Sequence, residues 1–165
     1  MALNPLLDRL GKPQLFPNEI IIIIYPRIFG SLELNNNYRT RFEGTLYLTN
    51  ARIVFINTDY RQAVYNFALH LNLIERETFH VGFPQRSVIG GYATPYGQHM
   101  PSPGNFKFEM LQDPNPLIVA MKGMISQIRS NAARNNINEA RTQAFVDPND
   151  PDILYMIDSS KGYQQ

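Results

Sequence analysis

The sequence predicts a mainly β protein, a barrel or sandwich of about seven short strands capped by one C-terminal α-helix. Short segments in which apolar and polar residues alternate recur along the chain, separated by turn residues, as in small barrels and sandwiches. Residues 42–57 form the clearest of these patterns, two strands around the turn Thr49-Asn50-Ala51. After Pro116 the apolar period changes to that of an amphipathic helix.

The composition fits one globular domain with modest extensions, since 165 residues with 44% hydrophobic content can close a core. Fifteen basic and fourteen acidic residues leave a net charge of +1, so we expect no nucleic-acid partner. The longest apolar run, Ile20–Tyr25, is far shorter than the roughly 20 residues that span a bilayer. Without a secretory signal or any cysteine, the expected location is cytoplasmic, with the cytoskeleton or cilium and the membrane periphery left open.

Residues 1–18 are predicted to be an N-terminal extension with one short amphipathic helix. Asn4 would cap it, Pro5 would occupy its first position, and Gly11 would follow its end. Its apolar face would carry Leu6, Leu7 and Leu10. Because so short a helix is unstable alone, it must dock, either on its own barrel or on another chain.

The main domain is predicted to span residues 19–130. Its strands are expected at residues 20–25, 42–49, 52–56, 65–72, 78–83, 88–91 and 106–110, with a long surface loop over 92–105. Leu117, Met121 and Ile125 then share one helical face, although Leu117–Ala120 fits a last strand equally well.

Residues 131–165 are predicted to be a C-terminal extension. Asparagines after Ser130 weaken the helix, and residues 147–152 are too rich in Asp and Pro for regular structure. One more apolar segment follows at residues 153–157.

Two sequence motifs carry a resemblance to a known family. Gly44-Thr45-Leu46-Tyr47-Leu48-Thr49 with Arg52-Ile53-Val54-Phe55, and Gly82-Phe83 with Ile89-Gly90-Gly91, resemble the GRAM domain of the WW-domain-binding protein family over roughly residues 15–130. The resemblance implies a pleckstrin-homology-like barrel that binds proteins or phosphoinositides. The family's Pro-Pro-x-Tyr tail is missing, so we expect no WW-domain partner, and a coactivator-like role is disfavoured.

The sequence gives no support for an enzyme, a cofactor or a metal site. The three histidines, His70, His80 and His99, occur in no catalytic or metal-binding motif, and no serine lies in a nucleophile elbow. We therefore expect a non-catalytic binding module.

Protein docking is the predicted function, as an adaptor or structural subunit of a larger intracellular assembly. Five successive isoleucines place Ile21 and Ile23 on one face of a strand and Ile20, Ile22 and Ile24 on the other. A barrel wall has one core side, so the outward isoleucines need a cover: the N-terminal leucine helix, the segment 153–157 or another chain. The candidate docking residues are Leu6, Leu7, Leu10, Ile20, Ile22, Ile24, Ile153, Leu154, Tyr155 and Ile157.

Binding of an anionic phospholipid headgroup is the alternative. Arg39 and Arg41 lie on the same side of an extended segment, which permits joint contact with one phosphate. Ordinary solvated surface charge explains the same two residues without a ligand.

Overall fold

The computed structural model describes residues 2–34, 39–59, 61, 66–82, 86–95, 102–147 and 150–158. By their contacts they form two units, Met1–Ile125 and Ser126–Gln165, which are described separately. The first unit holds one large sheet and the first part of a helix. The second unit holds the rest of that helix and a hairpin.

Eight strands of the first unit form one antiparallel sheet in the order β1-β5-β4-β3-β2-β8-β7-β6. The central strand, β2, pairs with β3 on one side and with β8 on the other. Strands β2 to β8 form a curled half-barrel, which confirms the predicted architecture of about seven strands with one C-terminal helix. The strands are β1 (Ala2–Leu3), β2 (Ile21–Leu34), β3 (Arg39–Thr49), β4 (Arg52–Asn57), β5 (Asn66–His70), β6 (Ile74–His80), β7 (Ser87–Ala93) and β8 (Gly104–Met110).

Aromatic rings fill the inside of the half-barrel. Phe55, Phe67 and Phe108 are fully buried, with ring centroids 5.3 Å apart for Phe55 and Phe67 and 6.0 Å apart for Phe67 and Phe108. Stacked rings at such distances add to the free energy gained from burying their apolar area.

The helix α1 (Asn115–Arg141) closes the core with Leu117, Met121 and Ile125, all buried. These residues are helical, so the alternative of a last strand at Leu117–Ala120 is wrong. The weakening expected after Ser130 is also wrong, since the helix continues to Arg141. Its later turns contain Ala and Arg, strong helix formers that offset the asparagines.

The predicted end of the first strand at Pro26 is wrong. β2 continues through Pro26 by a register shift between Tyr25 and Ile28, where Arg27 adopts a φ of 56°. Proline has no backbone N–H, so a sheet accepts it only at an edge or a bulge. The bulge at Pro26 separates the part of β2 that lies beside β3 alone from the part that also pairs with β8, which begins at Phe29.

The strand predicted at residues 78–83 begins and ends earlier among the described residues, since β6 spans Ile74–His80, and Phe83 lies outside the described residues. A register shift between Glu75 and Thr78 interrupts the alternation of its first half, and Arg76 there has a φ of 51°. Because a bulge breaks the alternation of inward and outward residues, this half of the strand shows no period-two pattern in the sequence.

The predicted N-terminal helix does not form. Residues 2–3 are strand β1, which pairs with β5, and Leu7 forms an isolated bridge with Pro13. The Asp8 carboxylate accepts the N–H groups of Leu10 and Lys12 at 2.8 and 2.9 Å and thereby fixes a turn. A short Asp side chain competes for backbone donors in this way, which favours turns over helices.

The second unit contains an antiparallel hairpin after the helix, formed by β9 (Thr142–Asp147) and β10 (Asp150–Asp158). The predicted apolar segment 153–157 lies within β10. The prediction of irregular structure over 147–152 is wrong at both ends, since β9 includes Asp147 and β10 begins at Asp150. Residues 148–149 lie outside the described residues.

Candidate docking surface

The N-terminal segment covers the outer face of β4 and β5. Val54, Ile56 and Ala68 point away from the aromatic core, yet they are buried, and Leu7 and Tyr47 pack against them. All six residues of β4 are therefore buried, with core on one side and the N-terminal segment on the other. Leu7 therefore helps to cover this outer face of the sheet from within the same chain, and we call this face the self-covered wall.

A buried ion pair fastens the end of this segment to the sheet. Arg52 Nε lies 2.8 Å from Glu19 Oε1, and the two side chains are 4% and 1% exposed. Arg52 also donates to the carbonyl of Gln14 at 2.7 Å, and its guanidinium lies 4.0 Å from the centre of the Phe16 ring. The hydroxyl of Thr49 donates to the same carboxylate oxygen at 2.7 Å, so the buried charges are well paired.

Opposing effects act on the pKa of Glu19. Burial raises it, but hydrogen bonds from Arg52, from the N–H of Phe16 and from Thr49 outweigh burial and lower the pKa below 4.5. The carboxylate therefore stabilises the folded state at neutral pH, and this contribution is lost as the pH falls through the lowered value.

His70 should add a second pH dependence to the free energy of unfolding, at higher pH values than the one from Glu19. Burial, together with the nearby charge of Arg52, lowers the pKa of His70 from 6.5 to about 4. Because the unfolded chain then takes up the proton first, the free energy of unfolding should fall as the pH drops from 6.5 to about 4. Urea denaturation at successive pH values measures this slope.

The His70→Gln variant should lose the decrease between pH 6.5 and 4 and keep the loss of stability at lower pH to which Glu19 contributes. His80→Gln, at an exposed position of β6, is the matched control and should keep the wild-type profile. An unchanged slope in His70→Gln would contradict this assignment.

The predicted outward isoleucines are exposed on the surface of β2 and the residue before it. Ile20, Ile22 and Ile24 are 61%, 43% and 50% exposed, whereas Ile21 and Ile23 are half-buried. We call Ile20, Ile22 and Ile24 the isoleucine stripe. Among the strands β2 to β8, no other set of large hydrophobic residues alternates in this exposed way.

The N-terminal leucines do not share one face. Leu6 and Leu10 are 76% and 79% exposed, while Leu7 is packed against the sheet. Leu6 lines an open cavity of about 410 Å³ together with Pro5, Leu15, Phe16 and Pro17. The predicted docking residues Ile153, Leu154, Tyr155 and Ile157 all lie on β10 of the second unit, where Tyr155 is in register with Phe145. Their docking role stays a prediction.

The predicted headgroup residues are engaged by carboxylates. Arg39 pairs with Glu33, and Arg41 Nη2 lies 3.2 Å from Glu109 Oε2. They lie on one side of β3, in register with Glu33 and Ser31 of β2. Their role in lipid binding stays a prediction.

Sequence reasoning missed the partners that surround Glu109. Lys107 Nζ lies 2.9 Å from Glu109 Oε1, and Arg86 lies 3.8 Å from the carboxylate. Arg86 also stacks over the ring of Phe29 at 4.1 Å. Hydrogen bonding from Lys107 lowers the pKa of Glu109, although burial opposes it. No local pattern brings Arg86 and Glu109 together, because their proximity depends on the pairing of β7 with β8, in which Val88 is in register with Glu109.

Among the described residues, no group of three His, Asp or Glu side chains could hold a metal ion. His70 lies on β5 and His80 on β6, and His99 is outside the described residues. None of the described helices has the length and apolar character needed to cross a membrane.

Comparison with solved structures supports the pleckstrin-homology-like fold. The chain is similar to the Vps36 N-terminal PH domain, with a TM-score of 0.58 and 16% sequence identity over 79% of this chain and 95% of that chain. A chain of the 8S snRNP assembly intermediate matches at a TM-score of 0.42 and 11% identity, over 67% of this chain and 82% of that chain, which is too low to bear on the fold. No protein-family model and no curated protein matches the chain.

Proposed function

We propose that the chain is a non-catalytic binding module that docks another protein chain through the isoleucine stripe. One observation carries this proposal: three β-branched side chains stand in a row on one face of a strand, each 43% or more exposed. Scattered apolar residues are normal on a surface, but a row of them is typical of an interaction site. Full burial of an isoleucine is worth roughly 1.5–3 kcal/mol, so covering the row supplies useful binding energy.

The surroundings of the stripe support docking on a preformed surface. Asn50 on the β3–β4 turn accepts the N–H of Ile20 at 3.0 Å and donates its own N–H to the Ile20 carbonyl at 3.2 Å. The buried Glu19–Arg52 pair fixes the backbone directly before Ile20. A rigid surface loses little conformational entropy when a partner binds.

Within this proposal the module is of the GRAM type and serves as an adaptor or structural subunit of a cytoplasmic assembly. The hairpin motif at residues 44–55 and the pleckstrin-homology-like fold support the GRAM assignment. A cytoskeletal or ciliary assembly is the more specific setting that we propose.

Replacing Ile22 by glutamate should break the docking contact, because a partner that covers the stripe would have to bury an unpaired carboxylate. The tagged chain, isolated from the cells that make it, should lose its co-purifying subunits in the Ile22→Glu variant. Val119→Glu is the matched control, since Val119 is 71% exposed on α1. Retention of the same subunits by Ile22→Glu and Val119→Glu would contradict the proposal.

A membrane surface is the second possible partner, and the cations around Glu109 favour it. Arg41, Arg86 and Lys107 share one carboxylate, which leaves a local excess of positive charge on the outer face. Sedimentation with neutral and anionic vesicles separates the two functions. Binding that needs anionic lipid, weakens with salt and is lost in Arg41→Glu but kept in Ile22→Glu would replace docking by lipid recognition.

A further inference from the structure

The isoleucine segment is also an open edge of the sheet. β3 pairs with one side of β2 from Ile21 onward, but β8 occupies the other side only from Phe29. Within the residues that the structure describes, no strand pairs with Ile21–Ile24 on the side opposite β3. A strand that is paired on one side presents half of its N–H and C=O groups to the other side, ready for a further strand.

This edge carries none of the side chains that usually prevent pairing between molecules, and the feature that interrupts its regular pairing is the register shift between Ile21 and Ile23. Protective edges carry lysine, proline or inward-pointing charge, whereas residues 20–24 are all isoleucine. The charge that precedes them, on Glu19, is neutralised by Arg52 in a buried pair. At the other end, Pro26 and its bulge limit the open edge to a short strand.

We propose that the occupant of this edge is the same segment of a second copy of the chain, paired antiparallel across a two-fold axis. This inference rests on the proposed function, since it names a second copy as the chain that docks along the segment carrying the isoleucine stripe. The edge fits an uncharged, extended, β-branched strand with a free edge of its own, and residues 20–24 are such a strand.

The symmetry of the pair selects one register. A two-fold axis perpendicular to the sheet places one residue opposite its own copy, and only an axis at Ile22 pairs all five isoleucines with isoleucines. Ile20 of one copy then faces Ile24 of the other on the outward side, and the two stripes merge into one apolar surface. Both edges are consumed, so the assembly closes as a dimer and does not grow into a fibre.

The contact is short, because the bulge at Pro26 ends the free edge, and the register shift between Ile21 and Ile23 makes its pairing less regular. Interfaces of such limited area are weak and form at high protein concentration. Sedimentation velocity over a concentration series should show a monomer–dimer equilibrium for the wild type and for Val119→Glu. Ile22→Glu should remain monomeric, because its carboxylates would face each other across the axis.

Cysteine cross-linking tests the register directly, because the chain has no cysteine of its own. Directly opposed strand residues have Cα atoms about 4.5–5.5 Å apart, within the span of a disulfide. Under mild oxidation Ile22→Cys should form a covalent dimer, whereas Val119→Cys should not. Ile20→Cys mixed with Ile24→Cys should cross-link more completely than either variant alone.

The outcomes separate this inference from the proposed function. A wild-type chain that stays monomeric with no cross-link at position 22, while Ile22→Glu still loses co-purifying subunits, overturns the second copy and leaves docking intact. Dimers that persist in Ile22→Glu and do not cross-link at position 22 place the contact elsewhere and also overturn it. If Ile22→Glu alters neither the dimer nor the co-purifying subunits, both proposals fail. An unchanged urea denaturation curve for Ile22→Glu, measured alongside, shows that each result concerns association and not folding.

Discussion

Replacing Arg52 by alanine should lower the free energy of unfolding by about 3–5 kcal/mol, because it leaves the Glu19 carboxylate buried without its counter-charge. The variant also loses the hydrogen bond to the carbonyl of Gln14 and the stacking on Phe16. Typical domains are stable by only about 5–15 kcal/mol, so much of the folded state's margin depends on this residue. Urea denaturation followed by circular dichroism at neutral pH measures the loss.

Two further variants isolate the cause of the Arg52→Ala effect. Arg39→Ala removes the same side chain from an exposed pair, in which Arg39 is 77% exposed, and should cost less than about 1 kcal/mol. The double variant Glu19→Leu and Arg52→Leu removes both buried charges and should be more stable than Arg52→Ala alone. Thr49 keeps the carbonyl of residue 52 as a hydrogen-bond acceptor in that double variant. A loss in Arg52→Ala no larger than that in Arg39→Ala would contradict a structural ion pair.

Replacing Gly44 by alanine should be similarly destabilising, by about 3 kcal/mol or more, through overpacking of a strand pair. A Cβ atom at position 44 would overlap the carbonyl oxygen of Ile56 and would lie 2.9 Å from the Phe55 ring. The backbone of β4 cannot yield without breaking its pairing with β3, in which Gly44 is in register with Asn57. Thermal and urea denaturation should both show the loss.

The same substitution at Gly123 is the matched control and should have the opposite sign. Gly123 lies within α1, and a Cβ there meets nothing within 4 Å. Alanine at that position should stabilise the helix by roughly 0.5–1 kcal/mol, because glycine is the poorer helix former. A Gly44→Ala variant as stable as the wild type would show that β3 and β4 do not approach as closely as described.

Several features of the fold could be predicted because they depend on neighbouring residues in the chain. Alternation at residues 42–49 indicated β3, and the spacing of Leu117, Met121 and Ile125 indicated the buried face of α1. The same local reasoning was wrong where side chains compete with the backbone or bulges interrupt the pattern. Asp8 holds a turn where a helix was predicted, and the bulge at Pro26 lets β2 continue where an end was predicted.

In the candidate site, too, the features that depend on neighbouring residues could be predicted, and those that depend on distant residues could not. The alternation of Ile20, Ile22 and Ile24 on one face followed from strand period alone, and their exposure agrees with it. The role of Arg52 did not follow, because its partner Glu19 is distant in sequence and is brought close by the folding of the N-terminal segment. The cations around Glu109 likewise come from three different strand regions.

The sequence by itself determined the strand content, the capping helix and the alternation of the isoleucines between the two faces of a strand. Each of these reflects the geometry of adjacent residues. Only the tertiary structure decided which outer apolar faces are covered. Val54 and Ile22 are both outward β-branched residues, but the N-terminal segment packs over Val54 and leaves Ile22 beside an open edge. Burial depends on residues far apart in the chain, and for that reason local pattern could not distinguish a self-covered wall from a surface available to a partner.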